Sequence, residues 1–180
     1  MSGIFLDRDG VIVRKAPEGE YLADWSEVEF LPGALEAISA FHRHGRLVII
    51  VTNQRGVATG KIQPSKLDEI HTRLKSVIAR HGGQIAEIYC CSHDTSKDCL
   101  CRKPRPGMLL EAAEKHHLQL SDCWMIGDAP ADIVAGKRAG CKTALITQST
   151  DFQKWAEKPD LSADSLASLA TFILVHPFGR

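Results

Sequence analysis

Two aspartates lie one residue apart near the start of the chain, directly after a short apolar run. Residues 4–6 predict a buried strand, and Asp7 and Asp9 follow it. Ligands of open α/β sheets bind at the carboxyl ends of the strands. Two carboxylates this close repel each other, and Mg2+ offsets such repulsion while it also takes phosphate oxygens as ligands. The pair therefore indicates a divalent cation site at a strand end.

Polar side chains also follow later strands. Thr52 and Asn53 come after the β-branched run 47–51, Asp128 comes after the apolar residues 123–126, and Lys103 lies in an irregular segment between them. Carboxylates, a hydroxyl and a lysine are the groups that phosphoryl transfer requires. The sequence therefore predicts a phosphoryl-transfer site.

Each of these residues has a chemical role in such a reaction. Asp7 would attack phosphorus and form an aspartyl-phosphate. Asp9 would protonate the leaving oxygen and then activate water. The predicted magnesium set is Asp7, Asp9 and Asp128, with a backbone carbonyl as a further ligand. Thr52 and Lys103 would stabilise charge on the equatorial oxygens, which makes them catalytic with Asp7 and Asp9.

A second group of reactive side chains lies within residues 91–101, which we name the zinc loop. Its members are Cys91, His93, Cys99 and Cys101. Three thiolates and one imidazole form a closed tetrahedral zinc set, the structural pattern, and a metal could order a segment with so few apolar residues. Cys90 competes with Cys91, but it continues the strand pattern. Free thiols or a disulfide remain the alternatives.

Strands and helices alternate along the chain. Predicted strands are 4–6, 47–51, 85–90, 123–126 and 143–146, and predicted helices are 34–44, 64–81, 108–117, 131–139 and 165–175. This alternation predicts an α/β fold with a mostly parallel sheet and helices on both faces.

The composition narrows the class of protein. The chain has 180 residues, 44% hydrophobic, and its 22 basic and 22 acidic residues give a formal net charge of zero. This length predicts one domain, 1–180, and the charge balance argues against nucleic acid or an anionic membrane as partner. No transmembrane or signal-peptide pattern is present, so we expect a cytoplasmic protein, where cysteines stay reduced or bind metal.

Four motifs occur in order along the chain: Asp7-Arg8-Asp9-Gly10, Thr52-Asn53, Lys103-Pro104, and Gly127-Asp128 with Asp132. They resemble the four motifs of the haloacid dehalogenase (HAD) superfamily. The resemblance implies a Rossmann-like three-layer sandwich, with Asp7 as nucleophile and Asp9 as acid/base. Asp132 would orient Lys103 or the water shell of the metal, or it would cap the helix that begins near it.

The zinc loop and the Arg102-Lys103-Pro104-x-Pro106-Gly107 that follows it narrow this resemblance. They are similar to the D-glycero-D-manno-heptose 1,7-bisphosphate phosphatases, relatives of the histidinol-phosphate phosphatases. The similarity implies catalytic Mg2+ and structural Zn2+. It also implies that the zinc loop holds Arg102 on the substrate and Lys103 on the transferring phosphoryl group.

The spacing of the motifs leaves no room for a cap domain. Only about twenty residues separate Gly10 from Pro32, too few for a folded domain. We therefore expect a capless core with an open site, and specificity from the loops 13–29, 54–61 and 91–105. The predicted substrate-binding residues are Asn53, Gln54, Arg55 and Arg102, and Arg105 is a further candidate for a second phosphate.

Four functional hypotheses remain. The leading one is a Mg2+-dependent, monomeric phosphatase that converts heptose 1,7-bisphosphate to heptose 1-phosphate for lipopolysaccharide or other surface glycans. Histidinol phosphate is a second possible substrate. A polynucleotide 3′-phosphate is a third, although no basic stripe supports it. A zinc-binding interaction module without catalysis is the last, and the intact acid pair Asp7 and Asp9 argues against it.

Overall fold

The computed structural model describes residues 2–175 and contains one parallel sheet. Its six strands lie in the order β3-β2-β1-β4-β5-β6. Their bounds are β1 Gly3–Leu6, β2 Leu47–Asn53, β3 Glu87–Cys91, β4 Trp124–Gly127, β5 Lys142–Ile146 and β6 Leu161–Ala163. Every pair of neighbouring strands is parallel. The predicted α/β fold with a parallel sheet is therefore confirmed.

Helices cover both faces of the sheet. Their bounds are α1 Ala34–Arg43, α2 Arg55–Ala58, α3 Pro64–Arg80, α4 Gly107–Lys115, α5 Pro130–Ala139 and α6 Leu166–Val175. Successive strand residues point to opposite faces. Ile4 and Leu6 lie in the core shared with α1, α3 and α6, whereas Phe5 lies in the core shared with α4 and α5. The result is the expected three-layer sandwich.

The predicted helices agree with the structure to within two residues at each end. The five predicted strands also agree to within two residues at each end. β2 continues through Asn53 because Thr52 and Asn53 pair in register with Cys90 and Cys91, so β3 also ends one residue later than predicted. The segments α2 and β6 were not predicted, since four and three residues are too short to show a period. Among the described residues, no helix is long and apolar enough to cross a membrane.

The packing of α4 on the sheet can be tested with two neighbouring leucines of this helix. Leu109 is 0% exposed and Leu110 is 45% exposed. We expect Leu109→Ala to lower the free energy of unfolding by about 2–5 kcal/mol, because it leaves a cavity between helix and sheet. Leu110→Ala is the matched control and should change it by about 0.5 kcal/mol or less. Urea denaturation measures both, and equal effects would show that the helix does not pack as described.

Candidate active site

The site lies where three adjacent strands end. Asp7 follows β1, Thr52 lies near the end of β2, and Asp128 follows β4. The register pairs Leu6 of β1 with Ile50 of β2 and with Ile126 of β4, so the carboxyl ends of the three strands lie at the same edge of the sheet. This is the edge at which open parallel sheets bind ligands. The structure therefore brings together polar residues that are far apart in sequence.

Lys103 is the buried cation of this site. Its ammonium lies 3.0 Å from Asp7 Oδ1 and 2.7 Å from Asp132 Oδ1, and it donates to Val51 O at 2.8 Å. These acceptors take all three ammonium protons. Burial alone would lower the pKa of Lys103, but the two carboxylates outweigh burial and raise that pKa above its ordinary value. Lys103 is therefore a permanent positive charge beside Asp7.

Asn53 fixes the backbone that carries this lysine. Its Oδ1 accepts from Lys103 N and its Nδ2 donates to Lys103 O, both at 3.1 Å. The side chain was predicted to bind substrate. Both ends of its amide are used within the protein instead, because the irregular segment around Lys103 has no strand partners of its own. Asn53 is thus a positioning residue.

Three carboxylates crowd the same edge. Oxygens of Asp7, Asp128 and Asp132 lie within 4.8 Å of one another. Asp128 Oδ2 accepts from Lys15 at 2.9 Å, but Asp128 Oδ1 is buried without a hydrogen-bond partner in the described part of the chain. Burial raises the pKa of Asp7 to about 6, and burial also raises the pKa of Asp128.

The chemistry of these donors fits a small divalent cation. All are hard oxygen ligands, and a cation shared by Asp7 and Asp128 would satisfy the orphaned Asp128 Oδ1 while offsetting the repulsion. Gly10 keeps the space open. Its φ is 86°, and a Cβ there would overlap the carboxylate of Asp128. The donor set, the orphaned oxygen and the glycine together favour Mg2+.

Asp9 does not join this cluster, which corrects the predicted set of Asp7, Asp9 and Asp128. Its Oδ1 accepts from Arg8 Nε at 3.0 Å, and its Oδ2 accepts from Arg8 Nη2 at 3.0 Å and from Gln54 Nε2 at 2.8 Å. The guanidinium of Arg8 is buried and needs a carboxylate partner. The Asp9 side chain therefore turns toward Arg8, and Asp132 takes the third place in the cluster.

Gln54 links Asp9 to Thr52. The same Nε2 donates to Thr52 Oγ1 at 2.9 Å. Because Oγ1 accepts this bond, its own proton is free for another acceptor, such as a phosphoryl oxygen. Gln54 was predicted to bind substrate, but it is buried and its amide nitrogen is used within the protein. It orients Thr52 and Asp9.

Asp132 has both of the roles between which the sequence could not choose. Its Oδ1 binds Lys103, and its Oδ2 accepts from Ala129 N at 3.1 Å at the start of α5. Gly127 makes room for it, since a Cβ at that position would overlap the Asp132 side chain. One carboxylate therefore joins the Lys103 ammonium to the start of α5.

The zinc loop brings its four predicted ligands together. Cys91 Sγ lies 3.7 Å from His93 Nδ1 and 3.8 Å from Cys99 Sγ, and His93 Nδ1 lies 3.2 Å from Cys101 Sγ. Metal–sulfur bonds of about 2.3 Å give a tetrahedron with edges of about 3.8 Å. The spacing and donor types are thus compatible with zinc. Cys90, which the sequence analysis excluded as a zinc ligand, lies outside the cluster.

The three arginines have different surroundings. Arg55 Nε binds Asp94 Oδ1 at 2.5 Å, and Arg105 binds Asp98 and donates to Cys99 O at 2.6 Å. Both are thus engaged within the protein, which argues against the predicted substrate contact of Arg55. Arg102 makes only a long bond of 3.4 Å to His93 O and lines a cavity of about 380 Å³ beside the zinc loop. Of these three arginines, Arg102 is therefore the one available to bind an anion.

Sequence reasoning missed Arg8, Lys15 and His71. Arg8 lies between the two acids, a position that could have marked it as their partner. Lys15 and His71 carry no local signal, because only the fold brings them to Asp128 and Arg8. Lys15 also lines a second cavity of about 290 Å³ with Asp9 and Gln54, which we name the Asp9 cavity.

Comparison with known proteins agrees with this geometry. Residues 100–169 match the family described as HAD-hydrolase-like. The chain is 33% identical to the D-glycero-beta-D-manno-heptose-1,7-bisphosphate 7-phosphatase of Pseudomonas putida, over 94% of this chain and 98% of that protein. It is 39% identical to the D-glycero-alpha-D-manno-heptose-1,7-bisphosphate 7-phosphatase of Mycobacterium bovis, over 63% of this chain and 59% of that protein.

A solved structure shows the same likeness. The D,D-heptose 1,7-bisphosphate phosphatase of B. bronchiseptica, complexed with magnesium and phosphate, superposes with a TM-score of 0.88 at 30% identity, over 98% of this chain and 99% of that one. The fold and the strand-end site are those of a HAD phosphatase. The chain belongs to the heptose 1,7-bisphosphate 7-phosphatase family within the HAD-like hydrolases.

The zinc loop gives a prediction with a matched control. We expect about one zinc per chain in protein purified without chelator, and loss of this zinc with lower thermal stability in Cys99→Ser, because a tetrahedral site cannot lose a thiolate and keep its affinity. Cys90→Ser, next to a ligand but outside the cluster, should keep the metal. Metal analysis decides, and zinc-free wild-type protein would contradict the prediction.

Proposed function

We propose that this protein is a Mg2+-dependent phosphatase that removes the 7-phosphate of D-glycero-D-manno-heptose 1,7-bisphosphate through a phosphorylated Asp7. The observation that carries the proposal is the placement of Asp7 against the buried ammonium of Lys103 and in one carboxylate cluster with Asp128, whose Oδ1 has no hydrogen-bond partner among the described residues. The substrates in the names of the relatives from Pseudomonas putida and B. bronchiseptica support the sugar.

Asp7 is oriented for attack. Its Oδ1 accepts from Arg8 N at 2.7 Å and lies 3.0 Å from Lys103 Nζ. Both donors lie on Oδ1, so among the described residues Oδ2 is the oxygen left to attack phosphorus. The new bond joins Oδ2 to phosphorus as the bond from phosphorus to the sugar oxygen breaks.

Asp9 carries the proton in both steps. It gives a proton to the leaving sugar oxygen, and it then accepts one from the water that attacks the phosphorus of phosphorylated Asp7. This second step releases phosphate and restores the Asp7 carboxylate. The Thr52 hydroxyl donates a hydrogen bond to a phosphoryl oxygen, and the Lys103 ammonium offsets negative charge on the phosphoryl group.

The carboxylates of Asp7 and Asp128 would hold the catalytic metal, whereas Asp132 is engaged with Lys103 and Ala129. When bound there, Mg2+ would supply charge neutralisation for the approach of a phosphate dianion to an anionic nucleophile. The zinc of the zinc loop is structural in this proposal. It orders the segment that presents Arg102 to the second phosphate and Lys103 to Asp7.

We also propose that residues 1–180 act as one capless domain and as a monomer, with a small phosphorylated sugar as partner and no nucleic acid or membrane. The three thiolates of the zinc loop need a reducing compartment, which supports the cytoplasm. The product would serve the synthesis of surface glycan precursors such as those of lipopolysaccharide.

The first test removes the nucleophile. Asp7→Asn should lower kcat at least about a thousand-fold, because an amide cannot form the acyl phosphate. Circular dichroism should show an unchanged fold. The control is Asp122→Asn, which replaces an exposed aspartate that precedes β4, at the end of the strand away from the site. We expect it to keep wild-type turnover. Near wild-type phosphate release by Asp7→Asn would contradict the mechanism.

The second test addresses the substrate. With Mg2+ present, we expect the highest kcat/KM for heptose 1,7-bisphosphate, because the Arg102 side chain lines the cavity beside the zinc loop without a carboxylate partner among the described residues and is available for a second phosphate. The screen compares both anomers with histidinol phosphate, fructose 1,6-bisphosphate and a 3′-phosphorylated oligonucleotide. Arg102→Gln should reduce the preference for bisphosphates. Faster turnover of histidinol phosphate or of the oligonucleotide would overturn the assignment of the sugar.

A further inference from the structure

Arg8 is a fully buried arginine in the middle of the acid pair. It is 1% exposed and is the largest of the fully buried side chains. A buried guanidinium is retained only where its donors find partners, and removal of a partner leaves a costly unpaired charge. Two of its nitrogens bind both oxygens of Asp9. The remaining terminal nitrogen, Nη1, lies 3.2 Å from His71 Nε2 of α3.

The chemistry of arginine fixes the state of His71. Arginine only donates hydrogen bonds, so His71 Nε2 must accept and the ring proton must lie on Nδ1. A protonated His71 could not accept this bond. Burial, and then the positive charge of Arg8, lower the pKa of His71 to about 4. At neutral pH the ring is therefore a neutral acceptor for Nη1.

The Asp9 carboxylate is held in one orientation as a result. Oδ2 accepts two hydrogen bonds, from Arg8 and Gln54, and is saturated. Oδ1 accepts one, from Arg8 Nε, and keeps a lone pair. Asp9 is 22% exposed and lines the Asp9 cavity. Oδ1 is thus the oxygen able to exchange a proton with a bound molecule.

We propose that Arg8 and His71 are positioning residues for the proton transfer that Asp9 performs. His71 holds the guanidinium of Arg8, and the guanidinium holds the Asp9 carboxylate with Oδ1 available to the leaving oxygen. This inference rests on the proposed role of Asp9 as acid/base. It gives α3 a place in the reaction through a chain of two hydrogen-bonded side chains, His71 to Arg8 to Asp9.

Two variants of His71 form a matched pair. His71→Gln offers a side-chain oxygen to Arg8 Nη1, whereas His71→Leu has similar bulk and no acceptor. The readout is kcat/KM, which covers the steps through the departure of the leaving group. A sugar alcohol needs a proton from Asp9 as it leaves, but nitrophenolate does not.

We expect His71→Leu to lower kcat/KM for the heptose bisphosphate about ten-fold or more, and for p-nitrophenyl phosphate by less than about two-fold. His71→Gln should stay within about three-fold of wild type on both substrates. Arg8→Lys keeps the charge but not the paired contact with Asp9, so its loss on the sugar substrate should exceed that of His71→Leu.

Two controls separate the possible failures. Thermal unfolding of each variant shows whether it folds, and the His71 pair keeps the test decisive if Arg8→Lys does not fold. Equal losses on both substrates, equal losses in His71→Gln and His71→Leu, or no loss in either would overturn the inference. Asp7→Asn measured alongside distinguishes this from failure of the proposed function, because an active Asp7→Asn enzyme overturns the mechanism itself.

Discussion

The buried ammonium of Lys103 is the interaction on which the site depends. It joins the end of β1 through Asp7, β2 through Val51, and the start of α5 through Asp132. A charge removed from water is tolerated only when its partners are close and well oriented, and here two carboxylates and a carbonyl take every proton. The lysine therefore fixes the orientation of Asp7 and connects two strands and a helix.

The single positive charge of Lys103 cannot offset the negative charge of the carboxylates at this edge of the sheet. Asp7, Asp128 and Asp132 crowd together, and Asp128 Oδ1 has no partner among the described residues. Lys15 reaches only the other oxygen of Asp128. The three carboxylates thus leave a place for a further cation beside Lys103 and Lys15. A phosphorylated substrate would add more negative charge at the same edge.

The placement of Lys103 depends in turn on the zinc loop and on Asn53. The segment before the lysine contains few apolar residues, and a zinc ion held by its three cysteines and one histidine would supply its order. Asn53 then holds the lysine backbone from both sides. In the proposed mechanism a zinc-bound loop and the end of β2 would therefore both position the segment that carries Lys103.

The sequence predicted what depends on local pattern. Strand ends were visible because apolar runs stop at Asp7, Thr52 and Asp128, and the zinc loop was visible from its ligand spacing. The direction of side chains was not visible. Asp9 was expected to bind metal, but it turns to Arg8, since only the fold shows that Arg8 is buried and needs a carboxylate.

The same reason explains the other differences. Asn53, Gln54 and Arg55 have the polar character of substrate ligands, yet each has an intramolecular partner that lies 39 or more residues away in sequence. Such partners come from tertiary structure and leave no trace in local sequence. Short elements such as β6 are fixed by pairing with a neighbour rather than by their own three residues.

The central claim is that Asp7 carries the phosphoryl group and Asp9 the proton, and one measurement tests it directly. Asp9→Asn is mixed with p-nitrophenyl phosphate and Mg2+, quenched in acid and digested for mass spectrometry. Because nitrophenolate leaves without a proton while hydrolysis of the intermediate needs a base, we predict a burst of about one nitrophenolate per chain and a phosphoryl group on the peptide that contains Asp7. Absence of the burst and of the modified Asp7 peptide would contradict this division of roles.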